Sequence, residues 1–285
     1  MTKKNSLTQI AVTGGKGGVG KSTVAILLAN QLSANKKIIL VDADVECPND
    51  HLLLGQTLTK KPQKKIYAKF PVLDKDKCLR CGLCAQKCRF NAIFAPKGKY
   101  PIFIHELCAN CGLCWHLCPA KAIKIKSKIT GHIYQNQVSP NLYLITGRTV
   151  GIVDETGPLV RQTRKYAIDL ADKLKIDTIL IDTAPGTHCN VINALLDVDQ
   201  SFAVTEPTPL GAHDLGLILK LNKKLKIPTQ IILNQSDLGN QKLIQPLVDK
   251  FKTKIVHQVP YSKKIVNAYS VGKLNDLTLN DYVKL

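Results

Sequence analysis

The chain has 285 residues, 45% of them hydrophobic, and a formal charge of +19. That length buries one large core or two smaller ones, and the apolar fraction is that of an ordinary globular protein, not a disordered or fibrous one. Met1 to Gly15 holds only a three-residue apolar run, which excludes a secretory signal, and no later stretch is long enough to cross a bilayer; a cytoplasmic location is expected, where the ten cysteines point to metal and not to disulfides.

Ile10-Ala11-Val12 reads as a short buried strand that opens the chain's first βα unit, about residues 8–34. Between this strand and the apolar stretch Val24 to Ala29 lies Thr13-Gly14-Gly15-Lys16-Gly17-Gly18-Val19-Gly20-Lys21-Ser22-Thr23. From Gly15 to Ser22 it satisfies G-x-x-x-x-G-K-[ST] in the strand-loop-helix context that a phosphate-binding loop needs. Its glycines let backbone N–H groups wrap an anion, and the following helix adds the partial positive charge of its N-terminus. Gly15, Gly17, Gly18, Val19, Gly20, Lys21, Ser22 and Thr23 are therefore the expected nucleotide-binding residues. Lys21 is placed on the β- and γ-phosphates and the Ser22 hydroxyl on Mg²⁺. Lys16 puts a second cation beside the phosphates, which an ordinary loop of this kind does not require.

Lys37 to Asp42 is a continuous apolar run of the kind found in buried parallel strands, ending on Asp42-Ala43-Asp44. The βα pattern then breaks. Thr57 to Lys69 is lysine-rich and contains a proline, and cysteine spacing governs from Asp74 onward, so an inserted domain is expected over 60–127 between two parts of one α/β domain, 1–59 and 128–285. Alternation resumes with a strand near Leu142–Thr146, a helix near Pro158–Leu174, and strands at Thr178–Asp182, Ser201–Thr205, Thr229–Leu233 and Lys254–Val259. Repeated βα units imply an α/β fold, a mostly parallel doubly wound sheet with ligands at the carboxyl ends of its strands. Asp182 stands at such an end, before Thr183-Ala184-Pro185-Gly186-Thr187, and reads as the Walker B aspartate that organises Mg²⁺.

Inside the insertion, Cys78-x₂-Cys81-x₂-Cys84-x₃-Cys88 is followed by Cys108-x₂-Cys111-x₂-Cys114-x₃-Cys118-Pro119. This doubled run is that of bacterial ferredoxins with two [4Fe-4S] clusters, where the fourth cysteine of each run serves the other cluster. One cluster is assigned Cys78, Cys81, Cys84 and Cys118, the other Cys108, Cys111, Cys114 and Cys88. Arg89 stands where the first run would usually carry proline, which removes no ligand. The halves Asp76–Ala95 and Glu106–Ile125 form an internal repeat, and Trp115 is read as packing beside a cluster. Fifteen Lys or Arg against Asp74, Asp76 and Glu106 give Lys60–Ser127 a net charge of +12. That suits either a solvated face or a docking surface for an acidic partner protein or nucleic acid.

The stretch KGGVGKST resembles the deviant Walker A motif of the MinD, ParA, Mrp and nitrogenase iron protein group of ATPases. With the doubled cysteine run, the whole chain is similar to MinD-superfamily P-loop ATPases that contain an inserted ferredoxin domain. The resemblance implies an ATP-dependent dimer, either a homodimer or a heterodimer with a paralogue, in which Lys16 reaches the partner's nucleotide. It gives Asp44 the attacking water and leaves Asp42 as a loop organiser or an outer Mg²⁺ group. The catalytic set is then Lys16, Lys21, Asp44 and Asp182. Asn234 matches the strand-end asparagine that contacts adenine and Pro260 the loop flanking the ring, although Asn234-Gln235-Ser236-Asp237 also fits the N-x-x-D pattern that reads guanine in GTPases. Cys47 and Cys189 remain, each in a switch; Cys189 has the offset of a cysteine that bridges the iron protein dimer, and the alternative is two buried cysteines acting as small apolar side chains.

Three functions follow. In the first, Mg-ATP binding and hydrolysis gate electron transfer through the two clusters to an acidic redox or metallocofactor protein. In the second, ATP drives assembly or delivery of an iron-sulfur or other metal centre. In the third the chain is a spatial organiser of the ParA or MinD kind with a redox-sensing appendage. The few cations from Val271 to Leu285 count against membrane attachment by an amphipathic helix, while DNA binding through the basic segment stays open.

Overall fold

A computed structural model describes residues 7–283 except 152 and 154. Met1 to Ser6 of the N-terminal stretch, and Lys284 and Leu285 at the other end, lie outside the described residues.

In chain order the elements are β1 (Thr8–Thr13), α1 (Lys21–Ser33), β2 (Ile38–Asp42), α2 (Asp50–Leu53), β3 (Lys64–Leu73), α3 (Leu83–Gln86), β4 (Ile93–Phe94) and β5 (Ile102–Phe103). There follow α4 (Leu113–His116), β6 (Ile123–Ser139), β7 (Leu142–Thr149), α5 (Gly157–Leu174), β8 (Thr178–Asp182), α6 (Cys189–Leu195), β9 (Gln200–Thr205) and α7 (Pro209–Lys224). The chain ends with β10 (Thr229–Asn234), α8 (Gln245–Phe251), β11 (Ile255–Val259) and α9 (Lys263–Ser270). The described residues divide into two compact units, one of those within Met1–Lys64, Ile133–Arg148 and Thr156–Leu285, the other of those within Lys65–His132 and Thr149–Glu155.

The first unit is built on parallel strands in the order β11-β10-β9-β1-β8-β2-β7. Every residue of β2 and β8 is buried, which is why both read as unbroken apolar runs. Helix α1 is buried continuously from Val24 to Asn30, and its Leu27 belongs with Val12, Leu40 and Leu180 to the main core. Each such side chain contributes about 1.5–3 kcal/mol by leaving water. Strand β1 sits at the centre between β8 and β9, so the loop after it emerges at the middle of the sheet's carboxyl edge.

Two strands depart from the sequence reading. The lysine-rich segment Thr57 to Lys69 is assigned no strand there, yet β3 begins at Lys64; the lysines at 65 and 69 and Tyr67 point outward while Ile66 is buried, a period-two pattern masked by the lysine content. Strand β6 is likewise unmarked by the sequence: in Ile123-Lys124-Ile125-Lys126 only Ile123 is buried. It is joined to β7 by only Pro140 and Asn141, and two residues can link only antiparallel neighbours. The sheet is thus mostly parallel with an antiparallel addition.

The second unit repeats itself every thirty residues in backbone as well as sequence. Left-handed φ angles recur at Arg80 and Asn110 (54° and 55°), Gly82 and Gly112 (73° and 86°), and Asn91 and Lys121 (51° and 48°). The single-turn helices α3 and α4 follow the two glycines. Strands β4 and β5 pair antiparallel, with Phe94 opposite Ile102.

Candidate functional site

The loop between β1 and α1 lines a cavity of about 310 Å³ through Gly17, Gly18, Gly20, Lys21, Ser22 and Thr23. Gly18 and Gly20 hold φ angles of 84° and 88°, a region that other residues enter at a cost. A side chain at Gly20 would also run into the Asn234 amide, and one at Gly15 into the Asp214 backbone. Lys21 Nζ donates to the Lys16 carbonyl at 2.9 Å, curling the loop around its own lysine. Burial lowers the Lys21 pKa, opposed by the nearby carboxylates of Asp182 and Asp44.

The parallel register sets Asp42 beside Asp182 at the ends of adjacent strands. Ser22 Oγ donates to Asp182 Oδ2 at 2.5 Å, while Asp182 Oδ1 is buried with no partner. That orphaned oxygen beside a hydroxyl is the donor set a divalent cation asks of a protein when phosphates supply other ligands. Asp42 accepts the N–H groups of Asp44 and Asp50 at 3.2 and 3.1 Å, which fixes the loop. Asp44 lines the cavity; burial raises its pKa, and a hydrogen bond from the Cys47 backbone works against that.

Sequence reasoning passed over Asp50. It is fully buried, neither of its oxygens has a hydrogen-bond partner, and the Asp182 carboxylate is one of the charges it faces. Burial, then the neighbouring carboxylates, push the pKa values of Asp42 and Asp50 well up. Burial raises Asp182 to about 7 even with Ser22 and Lys21 stabilising its anion. Nothing in Pro48-Asn49-Asp50 marks Asp50 as buried, since an aspartate opening a helix is ordinarily a solvated cap.

The cavity is also lined by Asn234, Pro260, Tyr261 and Tyr269. Asn234 Nδ2 donates to the Val19 carbonyl at 2.9 Å, so its own oxygen is the group left to accept. Asp237, the acid of the N-x-x-D pattern, takes the Tyr261 N–H at 2.6 Å and is not part of the cavity wall. Lys16 is likewise engaged: its Nζ lies 2.7 Å from Glu206 Oε1, and the Thr208 hydroxyl donates to the same oxygen at 3.1 Å. Glu206 was also missed, because a single acid after a strand carries no spacing signal.

In the second unit, Cys78, Cys81, Cys84 and Cys118 line one cavity, and Cys88, Cys108, Cys111 and Cys114 line another, beside Trp115. Each cavity thus takes three cysteines from one run and the last from the other. Backbone N–H groups of Arg80 and Ala122 donate to Cys78 Sγ and Cys118 Sγ at 3.4 and 3.2 Å. Burial raises the pKa of Cys84, Cys108 and Cys114, the last to about 11, with neighbouring thiols adding to the effect. Among the described residues no three His, Cys, Asp or Glu side chains converge on a lone ion. A ring of thiols around a cavity is instead the arrangement a polynuclear centre asks for, because each thiolate binds a different iron. Cys47 and Cys189 are exposed, which corrects the alternative of two buried apolar cysteines.

The sequence model described as the CobQ/CobB/MinD/ParA nucleotide binding domain matches residues 10–275. A protein of uncharacterised function from Methanocaldococcus jannaschii is 36% identical over 94% of this chain and 93% of its own. A protein from Rickettsia bellii described as an iron-sulfur cluster carrier protein is 24% identical over 97% of this chain and 67% of its own. Among solved structures, the septum site-determining protein MinD complexed with Mg-ADP from Pyrococcus horikoshii superposes with a TM-score of 0.55 at 19% identity, over 97% of this chain and 89% of that one. No helix of the described residues is long and apolar enough to cross a membrane.

Proposed function

The chain belongs to the CobQ/CobB/MinD/ParA nucleotide-binding domain family, and from that premise we propose that it is an iron-sulfur ATPase in which Mg-ATP binding and hydrolysis in a dimer control electron transfer through two [4Fe-4S] clusters. The observation that carries this reading is the exchange of last cysteines between two cavities, which gives each four sulfurs. Four thiolates saturate a cubane and make it resident. When bound, each cluster supplies a one-electron redox centre. Cys78, Cys81, Cys84 and Cys118 hold one, and Cys88, Cys108, Cys111 and Cys114 the other.

At the nucleotide site Lys21 neutralises the β- and γ-phosphates, and Ser22 with Asp182 holds Mg²⁺, which neutralises charge that builds on the phosphates. Asp44 orients the attacking water. Lys16 leaves Glu206 to reach the partner's nucleotide. The Asn234 oxygen accepts from the adenine amino group, and the engagement of Asp237 by Tyr261 favours ATP over GTP. The loop from Asp44 to Asn49 leads through α2 into the cysteine-bearing segment, so ordering of that loop by nucleotide is the route of coupling.

The test is electron paramagnetic resonance of the reduced protein with and without Mg-ATP, beside Lys21→Ala. A spectrum or midpoint potential that shifts with Mg-ATP in the native chain and not in Lys21→Ala is expected. Clusters indifferent to ATP overturn the reading. A second reading, delivery of a metal centre, draws on the relatives described as iron-sulfur cluster carrier proteins and on the exposed Cys189. It requires ATP-dependent passage of labelled iron from this chain to an apo-acceptor.

A further inference from the structure

Three large apolar side chains stand exposed, one on the wall of the cavity lined by Cys78, Cys81, Cys84 and Cys118 and two on the hairpin that contributes Pro101 to the same wall. Phe94 and Ile102 face each other across the β4–β5 pair, which sets both on one face of the hairpin, and they are 60% and 59% exposed. Leu79, 70% exposed, is part of the cavity rim together with Arg80 and Pro101. The hairpin is fastened to that rim. The Arg80 guanidinium lies 4.3 Å from the Tyr100 ring centroid and donates to the Tyr100 hydroxyl at 2.9 Å, and Lys75 Nζ is 5.7 Å from the same ring. Lys97 and Lys99 occupy the hairpin turn. Three large apolar side chains kept in water, bordered by cations, have the anatomy of a protein interface core with its polar rim.

We propose that this face, centred on Leu79, Phe94 and Ile102 and bordered by Lys75, Arg80, Lys97 and Lys99, docks a small acidic redox protein beside the first cysteine cavity. Charge selects the occupant. Lys65–His132 carries thirteen Lys or Arg against three acids, so a second copy would be repelled and an acidic protein attracted. Nucleic acid would pair with the cations but gain nothing from Leu79 or Ile102. Position beside the cysteine cavity favours a partner that exchanges electrons, and in this the proposal rests on the iron-sulfur reading.

The test titrates the full chain, reconstituted with iron and sulfide, with two probes: an acidic [2Fe-2S] ferredoxin and an acidic flavodoxin. Binding is read by calorimetry at several salt concentrations. At least one probe binds at micromolar concentration with affinity falling as salt rises. Phe94→Ser/Ile102→Ser weakens it by about tenfold or more, and Lys97→Glu/Lys99→Glu weakens it and flattens the salt dependence. Both pairs of positions are surface residues, and equal cluster signals in wild type and variants confirm intact protein. Absence of binding by both probes, or binding unaffected by either variant, overturns the proposal. So does a patch whose variants instead abolish binding to duplex DNA or to phosphatidylserine vesicles, or alter only the chain's own oligomeric state. Because docking is scored by calorimetry and the clusters by their resonance, failure of this surface and failure of the iron-sulfur reading are separate results.

Discussion

Lys16 and Glu206 of the same chain form an ion pair, Nζ to Oε1, at 2.7 Å. The lysine proposed to serve a partner's nucleotide is therefore held at home, with side-chain exposures of 29% for Lys16 and 15% for Glu206. A pair of this exposure contributes about 0.5–1 kcal/mol, which dimerisation must give back. Because each of the two protomers gives up its pair, Glu206→Gln is expected to lower the concentration at which a non-hydrolysable ATP analogue dimerises the chain by roughly five- to thirtyfold, as read by sedimentation. Lys16→Ala is expected to keep nucleotide binding and lose turnover. Dimerisation indifferent to Glu206→Gln would show that releasing Lys16 is not a cost of assembly.

The buried carboxylates predict an unusual pH dependence. The folded-state pKa of Asp182 is raised from its ordinary 3.8 to about 7, and those of Asp42 and Asp50 are raised as well. Between 3.8 and about 7 the folded chain then holds protons that the unfolded chain has released, so metal-free stability falls as pH rises through that window. Thermal melts in chelator should drop by a few degrees from pH 5.5 to 7.5, and Mg-ADP should restore most of the loss. Asp50→Asn removes one buried titrating group without changing shape and should flatten this slope. An unchanged slope would show that Asp50 is not part of the coupled set.

The parallel strands and the cysteine runs were legible because each is a local signal: an unbroken apolar run in β2 and β8, a fixed spacing from Cys78 to Cys118. What escaped was tertiary. The alternation in β3 is hidden by lysines whose charged ends stay in water while their strand pairs. Asp50 looks like a solvated cap, yet it is buried with its backbone N–H on Asp42, which the register of β2 and β8 sets beside Asp182. Glu206 acquires a role from Lys16, 190 residues away, and no window of sequence spans that distance.

Glycine positions in the loop can be ranked by what a methyl group would meet. At Gly20 the φ angle is 88° and the added carbon collides with the Asn234 amide, so Gly20→Ala should cost about 1 kcal/mol or more of stability. It should also weaken ATP binding by roughly tenfold, because Asn234 is displaced from Val19 and the base. At Gly17 nothing lies within 4 Å and φ is not left-handed, so Gly17→Ala should leave the melting temperature nearly unchanged. Equal losses in the two variants would mean that space and backbone angle do not govern this loop.

The sharing of cysteines between cavities can be tested by combining substitutions. If the last cysteine of each run serves the other run's cavity, Cys118→Ala empties the site of Cys78, Cys81 and Cys84 and leaves that of Cys108, Cys111 and Cys114. Iron per reconstituted chain should then fall from about eight to about four. Adding Cys78→Ala should remove nothing further, because both residues belong to one site. Adding Cys108→Ala should remove the remaining iron, because it belongs to the other. If each run instead held its own cluster, the two double variants would exchange outcomes: Cys108→Ala with Cys118→Ala would match the single variant, and Cys78→Ala with Cys118→Ala would lose both clusters. Iron and acid-labile sulfide analysis of the three variants distinguishes the two pairings without reference to activity, and the same preparations show whether the last thiol of each run is needed to retain a cluster at all.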